Sequence, residues 1–150
     1  TDAVRVEPGD TTAEHYGLCL DIGSTIMQME LVDLVRGRTL SQAACTNSQT
    51  QFGANILDRI LAVKENPDNL HTLQALTLDD VRQMIERCCA QAGVPPEAVS
   101  AMTVGGNTTM LHFFSSCCRY RGKDHNSGLS CPPARRARHP SRPHPGRASR

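Results

Sequence analysis

Apolar positions follow two rhythms along this chain, and those rhythms define its elements. Tyr16 to Leu20 is a short apolar run that ends at Asp21. A second strand-like run extends from about Ile26 to Leu34, with Met27 and Met29 alternating toward a core. Arg36-Gly37-Arg38 turns it into a third strand, Thr39 to about Cys45, and polar residues from Thr46 to Thr50 form an exit loop. The period then changes. Phe52, Ile56 and Ile60 recur at i, i+4 and i+8, with Leu57 and Leu61 beside them, which predicts a helix of about four turns whose solvent face carries Asp58 and Arg59. Asn66-Pro67-Asp68-Asn69 ends that helix because proline cannot continue it, and Asn69 is placed to cap a longer one. Leu70, Leu73, Leu76, Val81, Ile85 and Cys88 or Cys89 carry the helical period to Ala92, where Gly93 and Pro95-Pro96 enforce the stop.

Val99 to Val104 reads as a fourth strand, Gly105-Gly106-Asn107 as a glycine turn, and Thr108 to Phe114 as a further helix in which His112 packs among Met110, Leu111 and Phe113. The fold class is therefore α/β. A fourth strand that returns through a helical crossover pairs in parallel with the first, leaving strands two and three as an antiparallel edge.

Composition divides the chain in two. From Thr1 to Phe114 there are 7 Lys/Arg against 14 Asp/Glu, and from Ser115 to Arg150 there are 9 against 1. Thr1 to His15 is polar and reads as a linker into the first strand. Ser115 to Arg150 is dominated by Arg, Pro, Ser and His, with Leu129 as its sole Leu, Ile or Val. Such a tail cannot bury enough apolar surface to offset the entropy of ordering, so disorder is expected. A core in the remainder must rest on Leu, Ile, Val, Met and Ala, since the chain has no Trp, two Tyr and three Phe.

The seven cysteines contain no C-x-x-C pair and no ferredoxin-type spacing, which excludes a zinc ribbon, a thioredoxin-type site and an iron–sulfur cluster written in this chain. Cys117, Cys118, His125 and Cys131 match no ligand pattern. An odd count, with several cysteines inside apolar patterns, favours reduced thiols in a cytoplasmic protein; Cys88 and Cys89 read as small apolar residues of the long helix. No stretch reads as a signal peptide or approaches the roughly 18 apolar residues of a membrane span. The arginine-rich tail could attract nucleic acid by counterion release, but no aromatic interleaving or folded module accompanies it.

The candidate chemistry lies at the two glycine turns. Gly23 lets the backbone approach a phosphate, successive N–H groups of such a turn form an anion-binding concavity, and Ser24 and Thr25 add hydroxyl donors. Asp21 suits a Mg²⁺ held through water, because Mg²⁺ keeps several waters and takes few carboxylates. The plain alternative is a hairpin turn with no ligand.

Three stretches in fixed order, LCLDIGSTI, NSQTQFGANILDRI and VGGNTTMLHFF, together resemble the amino-terminal part of the ATPase domain of the reductive activators of corrinoid proteins. That family belongs to the acetate and sugar kinase, heat-shock cognate and actin (ASKHA) superfamily, and the likeness covers about residues 16–114. It implies the front of a ribonuclease-H-like ATPase lobe, ending inside the helix after its fourth strand. It also implies ATP and Mg²⁺ as cofactors and a corrinoid protein as partner, with nucleotide binding and hydrolysis helping to drive cobalt reduction. The electron comes from an iron–sulfur ferredoxin domain present in full-length relatives and not in this chain. By this likeness Asp21 would bind the Mg–nucleotide, Gly23, Ser24 and Thr25 the terminal phosphates, and Gly106, Asn107 and Thr108 would line the opposite side of the cleft, with Asn107 positioning water.

Two positions depart from the family pattern: Ser48 stands where it has proline and Asn55 where it has aspartate. The second phosphate loop and the adenosine segment do not follow Phe114. The expectation is thus half of an ATP cleft, inactive alone, marginally stable and prone to aggregate through an unfinished sheet edge, with Ser115 to Arg150 a frameshifted terminus that translation of the other two frames would test. The other functions open at this point are a fragment of a sugar kinase or an acyl-CoA-dehydratase activator, and a small protein whose basic tail binds nucleic acid.

Overall fold

The computed structural model describes residues 14–115. Four strands and three helices run in the order β1 (Tyr16–Ile22), β2 (Ile26–Asp33), β3 (Arg38–Thr46), α1 (Ile56–Glu65), α2 (Asn69–Ala92), β4 (Val99–Gly106) and α3 (Thr108–Ser115). The strands form one mixed sheet in the order β3-β2-β1-β4, with β1 antiparallel to β2, β2 antiparallel to β3, and β4 parallel to β1. The parallel return of β4 through a helical crossover is as the element order predicts. The expected tail disorder, the frameshift and the residues Cys117, Cys118, His125 and Cys131 lie outside the described residues.

Alternation decides which sheet face is covered. Leu18, Leu20 and Ile22 of β1 and Met27, Met29 and Leu31 of β2 are buried against the helices, while Cys19, Asp21 and Gln28 look the other way and are exposed. Helix α2 lies across β2 and β3 and contributes Leu70, Leu73, Val81, Met84 and Cys88 to the core; α3 adds Met110 and Phe113. Each of these fully buried Leu or Met side chains contributes on the order of 2 kcal/mol relative to exposure. The α2 stripe differs slightly from the one the apolar letters outline. Thr77 and Met84 are wholly buried, whereas Leu76 and Ile85 are half-buried. Thr77 tolerates burial because its hydroxyl donates to the Leu73 carbonyl and accepts from Gln49 Nε2.

Polar contacts fix α2 over the strands. Ser41 Oγ on β3 donates to the Cys88 carbonyl at 2.8 Å. The helix stops at Gly93, whose left-handed φ of 67° lets its amide and that of Val94 return to the Ala90 and Cys89 carbonyls. At the far end of the sheet, Asp33 accepts from the Val35 and Arg36 amides and pairs with the Arg36 guanidinium at 2.8 Å, closing the β2–β3 turn. These bonds hold the Asp33 carboxyl below its ordinary value.

The segment between β3 and α2 needs the most correction. Ser48–Phe52 is a 3₁₀ turn rather than an open loop, so Phe52 precedes α1, which has 10 residues from Ile56. Leu57 and Leu61 are 68% and 52% exposed, off the buried stripe. Asn69 does not cap α2; its Nδ2 donates to the Ala62 carbonyl at 2.9 Å and so closes the end of α1. Arg59, expected in solvent with Asp58, is 0% exposed. Only Asp58 faces solvent.

Candidate functional site

Parallel pairing of β1 with β4 brings the two glycine turns side by side. Asp21 is in register with Gly105 and Ile22 with Gly106, so the residues that follow both strands meet at their carboxyl ends, where ligands of α/β sheets characteristically bind. Asp21 is the penultimate residue of β1 rather than part of a loop, on the face away from the helices, and its exposed carboxylate has no partner among the described residues. Gly105 and Gly106 likewise complete β4 instead of forming a turn by themselves.

The first turn is tied down by its carbonyls. Asn47 Nδ2 donates to Gly23 O at 2.8 Å, Arg59 Nη2 to Ser24 O at 2.6 Å, and the Asn47 amide to Thr25 O at 2.8 Å. In a trans peptide the C=O of one residue and the N–H of the next point in opposite directions. With the Gly23 and Ser24 carbonyls drawn inward, the Ser24 and Thr25 amides are turned away from the side chains beneath, and neither donates to another described residue. Gly23 permits the close turn: a Cβ there would sit 2.1 Å from the Ile26 carbonyl oxygen. The turn thus offers outward amides and the Ser24 and Thr25 hydroxyls, the donor set that an anion requires.

The second turn is shaped more locally. Gly106 has φ of 156°, and a Cβ on it would meet Ile22 O at 2.9 Å, so its backbone lies directly against the strand that feeds the first turn. Asn107 Oδ1 accepts from the Met110 amide at 3.0 Å and its carbonyl from the Leu111 amide. That makes Asn107 the cap of α3, with Thr108 in the first helical turn. Its oxygen is committed to the helix, which leaves Nδ2 as the group free to face a ligand.

The residues that build this site from below escaped the sequence reading. Asn47 is wholly buried, caps the 3₁₀ turn through Oδ1 to the Gln49 amide, and supports the first turn. Arg59 also donates to Gly53 O at 3.2 Å and Gln49 Oε1 at 3.4 Å, and Gln49 continues to Leu73 O and Thr77 Oγ1 on α2. Met110 Sδ of α3 lies 3.6 Å from Arg59 Nη1 and 3.9 Å from Asn47 Nδ2. Burial pulls the Arg59 guanidinium below its ordinary pKa, opposed by Asp58. A signal was present: Arg59 is three residues after Ile56 and four before Val63, which puts it on the apolar stripe.

Both departures from the family pattern have local partners. Asn55 caps α1, accepting from the Asp58 amide at 2.9 Å, a role that Asn and Asp fill about equally. Ser48 donates both its amide and its hydroxyl, at 2.8 and 2.7 Å, to the largely buried Asp80 carboxylate.

Cys19, Cys45, Cys88 and Cys89 are free thiols, with burial raising the last three. Among the described residues no His, Cys, Asp and Glu group could hold a metal by itself, and no helix is long and apolar enough to cross a membrane. A Mg²⁺ held through water by the single carboxylate of Asp21 is compatible with that.

Comparisons with known proteins give the family of the chain. The corrinoid activation enzyme RamQ of Eubacterium limosum is 30% identical over 99 residues, which are 66% of this chain and 17% of RamQ. A solved structure, a reductive activator for corrinoid, iron-sulfur protein, superposes with a TM-score of 0.69 at 37% identity over 72% of this chain and 17% of its own. The chain therefore spans about a sixth of the length of these relatives. Residues 16–120 match the family described as the RACo middle region, and the chain belongs to that family.

Proposed function

We propose that this segment is the front of a ribonuclease-H-like, ASKHA-type ATPase lobe within an ATP-dependent reductive activator of corrinoid proteins. The observation that carries it is the pair of turns at the adjacent carboxyl ends of β1 and β4, the first with two outward amides, the Ser24 and Thr25 hydroxyls, and Asp21, which has no partner among the described residues. The Ser24 and Thr25 amides and hydroxyls bind the terminal phosphates at the Gly23 turn. Asp21 holds a Mg²⁺ through its waters, and the ion neutralises phosphate charge when bound. Across from them, Gly106 gives the nucleotide close access to the backbone, and Asn107 Nδ2 and the Thr108 hydroxyl donate from the second turn. The facing half of the cleft, and the iron–sulfur cluster of longer relatives, belong to other parts of such a polypeptide. Its partner is a corrinoid protein, and its setting is the cytoplasm.

The assay is Mg·ATP titration of the chain and of a polypeptide of the relatives' length. Half a cleft binds weakly, with Kd on the order of millimolar. Asp21→Asn removes the Mg²⁺ dependence while leaving the fold, since the residue is exposed on the open face. Equal binding with and without Mg²⁺ in the parent chain, or Mg²⁺ dependence retained in Asp21→Asn, would sink the assignment.

A further inference from the structure

Arg59 is the largest fully buried side chain among the described residues, and no carboxylate lies within ion-pair distance of it there. Buried charges ordinarily find an opposite charge. This guanidinium instead meets only neutral acceptors: Ser24 O, Gly53 O, Gln49 Oε1 and Met110 Sδ. The Asp58 carboxylate acts on it only through space, so the charge has no paired anion where it sits among the described residues. The shortest of these bonds, 2.6 Å to Ser24 O, aligns the Ser24–Thr25 peptide with its carbonyl end on the cation and its N–H end outward. A cation behind such a peptide strengthens the positive end of its dipole, and the Thr25 amide becomes a better donor to an anion.

Geometry adds a second half. Arg59 Nη1 also touches Met110, whose own amide is bonded to Asn107 Oδ1. One side chain thus abuts the support of both turns, and through Gln49 it is tied to Leu73 and Thr77 of α2.

We propose that Arg59 is a positioning residue for phosphate: it sets the Ser24–Thr25 peptide and keeps the first turn in fixed relation to α3. The anion that balances its charge is a terminal phosphate of the nucleotide, bound on the outer side of the turn and out of direct contact with Arg59. This rests on the phosphate-loop assignment made above.

The experiment uses the full chain labelled with ¹⁵N, and inorganic pyrophosphate as the probe. It reads amide shifts at Ser24 and Thr25, and amide hydrogen exchange at Asn47 and Met110, whose amides bond to Thr25 O and Asn107 Oδ1, with Leu31 and Met84 reporting on the core. In Arg59→Met, exchange at Asn47 and Met110 accelerates, the Ser24 and Thr25 amide shifts move, core exchange is unchanged, and pyrophosphate affinity falls roughly tenfold or more, as expected when the cation behind the anion-binding peptide is lost. Arg59→Lys keeps the charge without the fork and restores part of that affinity. Parent-like exchange and affinity in Arg59→Met overturn the proposal, as does loss of protection spread evenly over loop and core. Should Arg59→Met unfold the chain, Arg59→Lys decides: affinity and loop exchange equal to the parent's overturn it. A parent chain that ignores pyrophosphate defeats the phosphate-loop assignment and the anion role together. Loop loosening in Arg59→Met would in that case still uphold the positioning of the peptide. An intact pyrophosphate response that Arg59→Met leaves untouched defeats the positioning role alone.

Discussion

The two turns at the ends of β1 and β4 resemble each other in composition, each a glycine followed by small polar residues, and differ in what holds them. The first gives up three consecutive carbonyls, Gly23, Ser24 and Thr25, to Asn47 and Arg59, residues from a separate part of the chain. The second is closed mainly by its own neighbours, Asn107 capping the helix it begins, while Gly106 packs against Ile22 of β1. One shape is imposed by tertiary structure and the other is written locally. The first should therefore be the more sensitive to substitutions far away in sequence, the second chiefly to substitutions within itself.

Glycine replacement gives the largest test of that contrast. Gly23→Ala drives a Cβ to 2.1 Å from a backbone oxygen, and the hairpin must open; a loss of about 3 kcal/mol or more in urea unfolding is expected. Gly106→Ala, with a 2.9 Å approach and a positive φ, should cost about 1–3 kcal/mol. A Gly106 variant less stable than the Gly23 variant reverses the ranking. Next in size are the two asparagines. Asn47→Ala orphans the Gly23 carbonyl and the Gln49 amide in a buried site and should cost about 2–3 kcal/mol, against about 1 kcal/mol for the cap lost in Asn107→Ala. Equal losses would show that the two turns are supported alike.

The smallest effect serves as a control outside both turns. Asp33 ionises below the ordinary value of 3.8 because Arg36 bonds to its charged form. Its contribution is present above that value and is lost as pH falls through the lower, folded one. Asp33→Asn should flatten the stability profile in that acid window and leave pyrophosphate binding at neutral pH alone. A steep acid loss that persists in Asp33→Asn would place its source elsewhere.

How much of this was legible follows the same division. Period-two and helical patterns located all four strands and three helices, because burial on one face imposes those periods on the letters. Asn107 at the start of α3 and Gly93 at the end of α2 were legible as positions because caps and stops are local chemistry. Arg59 was misplaced because a charged letter was weighed by type and not by angle, although its spacing from Ile56 and Val63 sets it on the buried stripe. Asn69 was misjudged for a related reason: an amide between two helices can serve either one, and only the packing of α1 against α2 decides. No pattern in the letters indicated that Asn47 would reach back to Gly23, since that bond spans 24 positions and depends on the β2–β3 register.

The bond between Ser48 and Asp80 has a consequence for exchanging parts among relatives. Where the family pattern has proline, this chain has a residue whose amide and hydroxyl both serve a carboxylate on α2. Proline carries neither donor. Grafting the family's version of the 47–60 segment into this chain would strand the largely buried Asp80 carboxylate without its two donors. Positions 48 and 80 work as a pair in this chain, and a chimaera that places proline at 48 should regain stability when Asp80 is also replaced by a neutral residue.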